Sequence, residues 1–209
     1  MITIDEARGY YQDSETAHDF NHVLRVLTLA EKLARVEGAD LEIVRAAALL
    51  HDISRSDEDD RASGDHAELA AERARSLLLA RGIESARADA VAHAIAAHRF
   101  RSRVAPQTIE AKILFDADKL DSIGAIGVAR AFAIAGSLNQ PLWSDVVKDA
   151  VATRDQHNSN HSPVAEFVVK LSRVRERLHT AAARKIADER HAFMAAFFDQ
   201  LERDVRGDI

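Results

Sequence analysis

The chain has 209 residues, 47% of them hydrophobic and 30% charged, with a net charge of -6, which is ample material for a globular domain and excludes a disordered tail. Lys and Arg alternate with Asp and Glu instead of clustering, which argues against a broad nucleic-acid or anionic-membrane footprint and for a small-molecule substrate. The absence of cysteine excludes disulfides and thiolate nucleophiles, leaving His, Asp and Glu as the strong metal-ligand types. With no basic-then-apolar leader and no apolar run of about 18 residues, the expectation is a cytoplasmic protein with no membrane span.

Glycine (8) and proline (3) are scarce, and the apolar residues recur at spacings of 3 and 4, so the pattern predicts an all-α fold without a sheet. "FNHVLRVLTLAEKLARVEGAD" lines up Val23, Val26, Leu27, Ala30, Leu33 and Ala34 on one stripe and stops at Gly38. Asp40 can cap the next helix, "LEIVRAAALLHDI", which carries Ile43, Val44, Ala47 and Leu50 inward. "SRSDEDDRASG" is too polar and too like-charged to pack and reads as a loop, solvated or acting as a lid. "DHAELAAERARSLLLARG" opens with a capping-box pattern, Asp65 with Glu68, and closes at Gly82. Further helices are predicted over 85–98, 107–121, 123–135, 163–178 and 180–205, with "HNSNHSP" as a linker before the last two. The expected arrangement is a single helical domain, with a core over 15–137 and a helical extension over 138–209 packed on it.

Two His-Asp dipeptides occur, His18-Asp19 and His51-Asp52, so the dipeptide alone says nothing; position does. His51 falls in line with Val44, Ala47 and Ala48, where an imidazole without a partner would cost about 1–3 kcal/mol. A backbone carbonyl can satisfy it, as for most buried histidines. However, His22 lies at the border of the preceding stripe, with His18 one turn earlier as a competing candidate. Asp118 follows Ala111, Leu114 and Phe115 at helical spacing, and Asp116 can occupy the neighbouring stripe. Buried carboxylates demand a shifted pKa or a cation. Two imidazoles and two carboxylates can wrap one divalent ion, and a sulfur-free donor set favours Mn, Fe, Co, Ni or Mg over structural zinc. Neighbouring residues on a helix diverge by about 100°, so His51 and Asp52 can share an ion only beyond the helix end.

The segments "HVLRV", "AAALLHDI", "DADKLDSIGAIGVAR" and "LHTAAARKIADERHAFMAAFF", together with the order His22, His51-Asp52, Asp118, resemble the HD superfamily of metal-dependent phosphohydrolases. The likeness is to a subgroup of small bacterial HD-domain hydrolases that includes nucleoside triphosphate pyrophosphohydrolases, and "HNSNHSPVAEFVVKL" is only loosely similar. The resemblance selects His22 over His18 and Asp118 over Asp116. It implies an HD-type helical bundle in which His22, His51, Asp52 and Asp118 hold a divalent metal, manganese among the candidates, and a metal-activated water attacks phosphorus, with Asp52 counted as catalytic as well as a ligand. Binuclear relatives add histidines between the HD pair and the last Asp, where His66 and His98 stand, so a second metal is allowed. His66, in the first turn of its helix, can instead bind phosphate or protonate the leaving group, and is counted as catalytic. His98 is counted among the substrate-binding residues with Arg25, Lys119 and Arg130, whose charges suit phosphate oxygens or a solvated face.

The resulting expectation is hydrolysis of a phosphoester or phosphoanhydride in a small phosphorylated substrate, a nucleotide, with release of pyrophosphate from a nucleoside triphosphate as the narrower form. The alternatives are a non-catalytic nucleotide-binding regulatory protein and a di-iron oxygenase on the same fold. Gly124 and Gly127 mark close helix approach or a helix boundary. "FMAAFF" is core or homodimer contact, His93 is a surface residue, and His157, His161, His179 and His191 are structural or surface residues.

Overall fold

In the computed structural model, residues 1–11, 20–54, 66–100, 103–145 and 161–208 are described, and every regular element among them is a helix. The chain divides into two compact units, Met1–Asp118 and Lys119–Ile209. No single helix among the described residues is long and apolar enough to cross a membrane.

The first unit is built around α3. Helix α1 (Ile4–Arg8) is closed by a capping box in which Thr3 and Glu6 exchange side-chain and backbone hydrogen bonds; at five residues it is too short for apolar periodicity to announce it. The Thr3 backbone N–H, aided by Arg81, holds the Glu6 carboxyl at about 2. Helix α2 (Phe20–Glu37) buries its whole expected stripe, and His22 with it. Helix α3 (Leu41–Leu50) is capped by the Asp40 side chain, which accepts from the N–H groups of Glu42 and Ile43 at 2.9 and 3.2 Å. Its run from Ala46 to Leu50 is at most 1% exposed, because α1, α2, α4 (His66–Ala80) and α5 (Ser85–Ala96) all pack against it. From Ala46 to Leu50 the helix has no solvated face, and its alanines let neighbours approach closely. Helix α3 ends at Leu50, three residues before the predicted end, and His51 to Ser54 form a buried turn. The acidic loop beyond Ser54 and the expected cap at Asp65 lie outside the described residues. Helix α5 likewise stops before His98, and α6 (Ile109–Asp121) carries Asp116 and Asp118.

The second unit holds α7 (Gly124–Ser137), α8 (Pro163–Val169), a 3-10 segment (Leu171–Arg177) and α9 (Ala181–Arg206). The single helix predicted over 163–178 is broken at Lys170, whose φ of -131° leaves the helical region. Three residues per turn then bring Leu171 and Val174 onto one buried face. Along α9, Ala183, Ala187, Met194 and Phe198 form the buried stripe, and Phe198 stacks on Phe167 with ring centroids 4.6 Å apart. In "FMAAFF", Met194 and Phe198 are therefore core, whereas Phe193 is exposed. Gly124 sits at φ +77°, where a Cβ would lie 3.0 Å from Arg190 Cγ, and a Cβ on Gly127 would lie 2.4 Å from the Ser122 carbonyl oxygen. Both glycines are demanded by backbone geometry within this unit.

Candidate metal centre

The residues that carry chemistry gather where α3 runs out. His51 is fully buried, and its Nδ1 donates to the Ala48 carbonyl at 2.8 Å. A carbonyl only accepts, so the ring proton sits on Nδ1 and Nε2 presents a lone pair. Burial, reinforced by the neighbouring His98 and His22 and opposed by Asp52 and Asp118, pushes His51 down to about 4. The ring is neutral at physiological pH, the state a metal ligand requires.

Facing that lone pair are groups from other elements. His22 on α2 brings its Nε2 to 3.3 Å from His51 Nε2, and the same nitrogen lies 3.4 Å from Asp118 Oδ1 on α6. One donor atom from each of His22, His51 and Asp118 fits within a mutual separation of 4.8 Å. Asp52 extends the group on its other side: Oδ2 is 3.7 Å from His51 Nε2, and Oδ1 is 3.7 Å from His98 Nε2. His98 repeats the arrangement of His51, since its Nδ1 donates to the Ile95 carbonyl at 2.6 Å and turns Nε2 outward as an acceptor. Each imidazole is thus aimed by a carbonyl at the end of its own helix.

Two imidazole lone pairs and the carboxylates of Asp52 and Asp118 therefore converge in a buried place. Acceptors facing acceptors at these distances repel one another unless a proton or a cation lies among them. A divalent ion fits this donor set, and the lack of sulfur points to a hard or borderline metal. Asp116, the competing carboxylate, is fully buried, but Asp118 is the one beside His22. His18 lies outside the described residues.

His66 opens α4 and is buried. Its Nδ1 lies 3.1 Å from Arg99 Nη1; a guanidinium only donates, so the His66 proton is on Nε2, ready to be given to an acceptor. Arg25 is half-buried on α2, three residues after His22. Lys119 and Arg130 belong to the second unit, where Arg130 Nη1 is 4.0 Å from the buried carboxylate of Asp121. His93 is half-buried, and its Nε2 accepts from the Gln107 N–H at 3.2 Å. His161 pairs with Glu166 at 3.2 Å, His179 is exposed, and His157 lies outside the described residues. The sequence pattern did not single out Arg99, nor Tyr11 and Arg73, which reach the same turn. Arg99 left one trace, a cation following a buried histidine directly at a helix end.

Comparison with known proteins agrees with this geometry. Residues 19–123 match the HD domain family. The chain is 38% identical over 199 residues to the Bacillus subtilis (strain 168) protein YpgQ, covering 93% of this chain and 88% of YpgQ. The crystal structure of Bacillus subtilis YpgQ in complex with ADP matches with a TM-score of 0.74 at 36% identity, over 98% of this chain and 99% of that one. An HD-superfamily hydrolase from Bacillus thuringiensis matches with a TM-score of 0.75 at 26% identity, over 97% and 94%. Ribonuclease Y of Chloroflexus aurantiacus is 37% identical over 110 residues, 53% of this chain but only 19% of that protein. A family match over half the chain, a relative similar along nearly all of it and a convergent His and Asp cluster at the end of a buried helix lead to one conclusion: the chain belongs to the HD superfamily of metal-dependent phosphohydrolases and is a hydrolase.

Proposed function

We propose that His22, His51, Asp52 and Asp118 hold one divalent cation and that the enzyme hydrolyses a nucleotide at a phosphoester or phosphoanhydride bond, with a nucleoside triphosphate cleaved to monophosphate and pyrophosphate as the narrower form. The observation that carries this reading is the meeting of the His22, His51 and Asp118 donor atoms within 4.8 Å of one another. The ADP bound by the Bacillus subtilis relative supports a nucleotide as the ligand. Manganese, cobalt, nickel, iron and magnesium all suit the donors. Bound there, such a cation lowers the pKa of a coordinated water and offsets charge on phosphoryl oxygens.

The chain's own groups supply the rest. The carbonyls of Ala48 and Ile95 fix the His51 and His98 rings, so no reorganisation is needed when substrate arrives. Asp52 lies between those two rings, and its proposed role is to orient a water or receive its proton. His66, held by Arg99, offers Nε2–H to a phosphate oxygen or to the leaving group. Arg25, Lys119 and Arg130 are the cations proposed for the remaining phosphate oxygens, and His98 is the residue that would join a second metal.

The test is metal-stripped protein resupplied with Mn, Co, Ni, Fe, Mg or Zn and incubated with ribo- and deoxyribonucleotides and a short RNA, with all products resolved. Pyrophosphate plus monophosphate supports the narrower form; phosphate alone makes the enzyme a phosphatase or nucleotidase. Binding of metal and nucleotide without turnover would replace the proposal with a sensor, and turnover that requires dioxygen would replace it with a di-iron oxygenase.

A further inference from the structure

A ligand pair placed in a turn beyond a helix end has lost the helix's own hydrogen bonds, so something else must hold its backbone. The N-terminal arm does so. Tyr11, half-buried, donates its hydroxyl to the Leu49 carbonyl at 3.0 Å, and the same hydroxyl oxygen accepts from the Asp52 backbone N–H. Beside it, Arg73 of α4 donates from Nη1 to the Ile53 carbonyl at 2.8 Å and lies 5.9 Å from the Tyr10 ring. The Tyr11 ring packs against Phe20, two residues before His22, with centroids 5.4 Å apart. The backbone from Leu49 to Ile53 is thus clasped on both sides of His51 and Asp52, and one of the clasps lies outside the residues matched to the HD domain, 19–123.

We infer that Tyr11 is a positioning residue for the metal centre: its hydroxyl bridges the Leu49 carbonyl and the Asp52 N–H, fixing the turn that presents His51 and Asp52. It touches neither ligand side chain by this bridge and acts through their backbone, the way outer partners of metal ligands set affinity. The inference rests on the metal reading proposed above.

The deciding variant is Tyr11→Phe, which keeps the ring against Phe20 and removes only the bridge. Mn(II) affinity, from calorimetric titration of the metal-stripped protein, is expected to fall about tenfold or more, the range typical of such outer partners. Helix content by circular dichroism should be unchanged. Arg75→Ala, which removes an ion pair with Asp89 away from the turn, should leave the affinity alone. Histidine-ring NMR of the metal-free protein provides a second readout, with the His51 resonances expected to shift in Tyr11→Phe. Wild-type affinity together with unshifted His51 resonances would overturn the inference. If wild-type protein bound no Mn(II) while the variant still shifted His51, the metal reading would fail and the clasp on the turn would stand; if neither moved, both would fail.

Discussion

His51 and His191 are both histidines driven towards neutrality by burial, and they differ in everything that makes a site. His51 in the first unit has its Nδ1 satisfied by Ala48 and its Nε2 facing His22 and Asp52. His191 on α9 lies against Phe167, ring centroids 6.2 Å apart, and its buried Nδ1 has no hydrogen-bond partner among the described residues. Burial lowers its pKa, as does nearby Arg175, against Asp188 and Glu176. The lesson is that desolvation alone does not make a ligand. A ligand needs one nitrogen committed and the other aimed at further acceptors; His51 has both, as does His98 beside it, and among the described residues His191 has neither.

The largest effects should come from breaking the first of these environments. His51→Ala and Asp118→Ala are expected to abolish stoichiometric metal binding and lower hydrolysis by about 10²–10³-fold or more, whereas His191→Ala should change turnover by no more than about twofold. Equal losses in kcat/KM for all three variants would erase the distinction between the two histidines.

Acid should separate them next. The His51 pKa falls from about 6.5 in the unfolded chain to about 4 in the fold, so the unfolded state binds more protons over that window and stability rises with pH through it. Metal-free protein acidified from pH 6.5 to 4 should lose on the order of 3 kcal/mol from this group. His191 is shifted in the same direction and adds to the loss with the same sign. Urea unfolding at several pH values reads the slope, and His51→Gln should flatten it more than His191→Gln.

A steric change in the second unit sharpens the contrast from the other side. Gly127→Ala places a methyl group 2.4 Å from the Ser122 carbonyl oxygen, for an expected destabilisation of about 1–3 kcal/mol. Thermal unfolding should show it, with metal affinity unchanged. The smallest effect is expected from His191→Phe. Replacing a buried nitrogen that lacks a partner by an apolar ring should be neutral or stabilising by up to about 1 kcal/mol. A large destabilisation would show that His191 has a partner after all.

Much of this was legible before any coordinates. The stripe on α2, the Asp40 cap, the stop at the end of α2 and the all-helical class follow from spacing and local chemistry, and so did the inward positions of His22 and His51. The periodicity failed where structure depends on few residues or on a local break. Helix α1 has five residues, and the interruption at Lys170 turns on one φ value that no apolar pattern encodes. The choice between Asp116 and Asp118 came from family likeness, because both sit on buried or half-buried stripes of α6. Tyr11 and Arg73 were not legible, since a tyrosine or arginine bound to a backbone carbonyl distant in sequence leaves no trace in spacing.

By itself, the sequence determined that the protein is helical, that no cysteine thiolate takes part in its chemistry, and which histidines and aspartates face inward, because helix periodicity and residue chemistry are local properties. Tertiary structure alone decided which inward groups meet: His22, His51 and Asp118 come from positions up to 96 residues apart, and their convergence depends on how α2, α3 and α6 are held in space. It also decided which ring nitrogen is free to act, because the carbonyl at the end of each helix, not the histidine, fixes the tautomer.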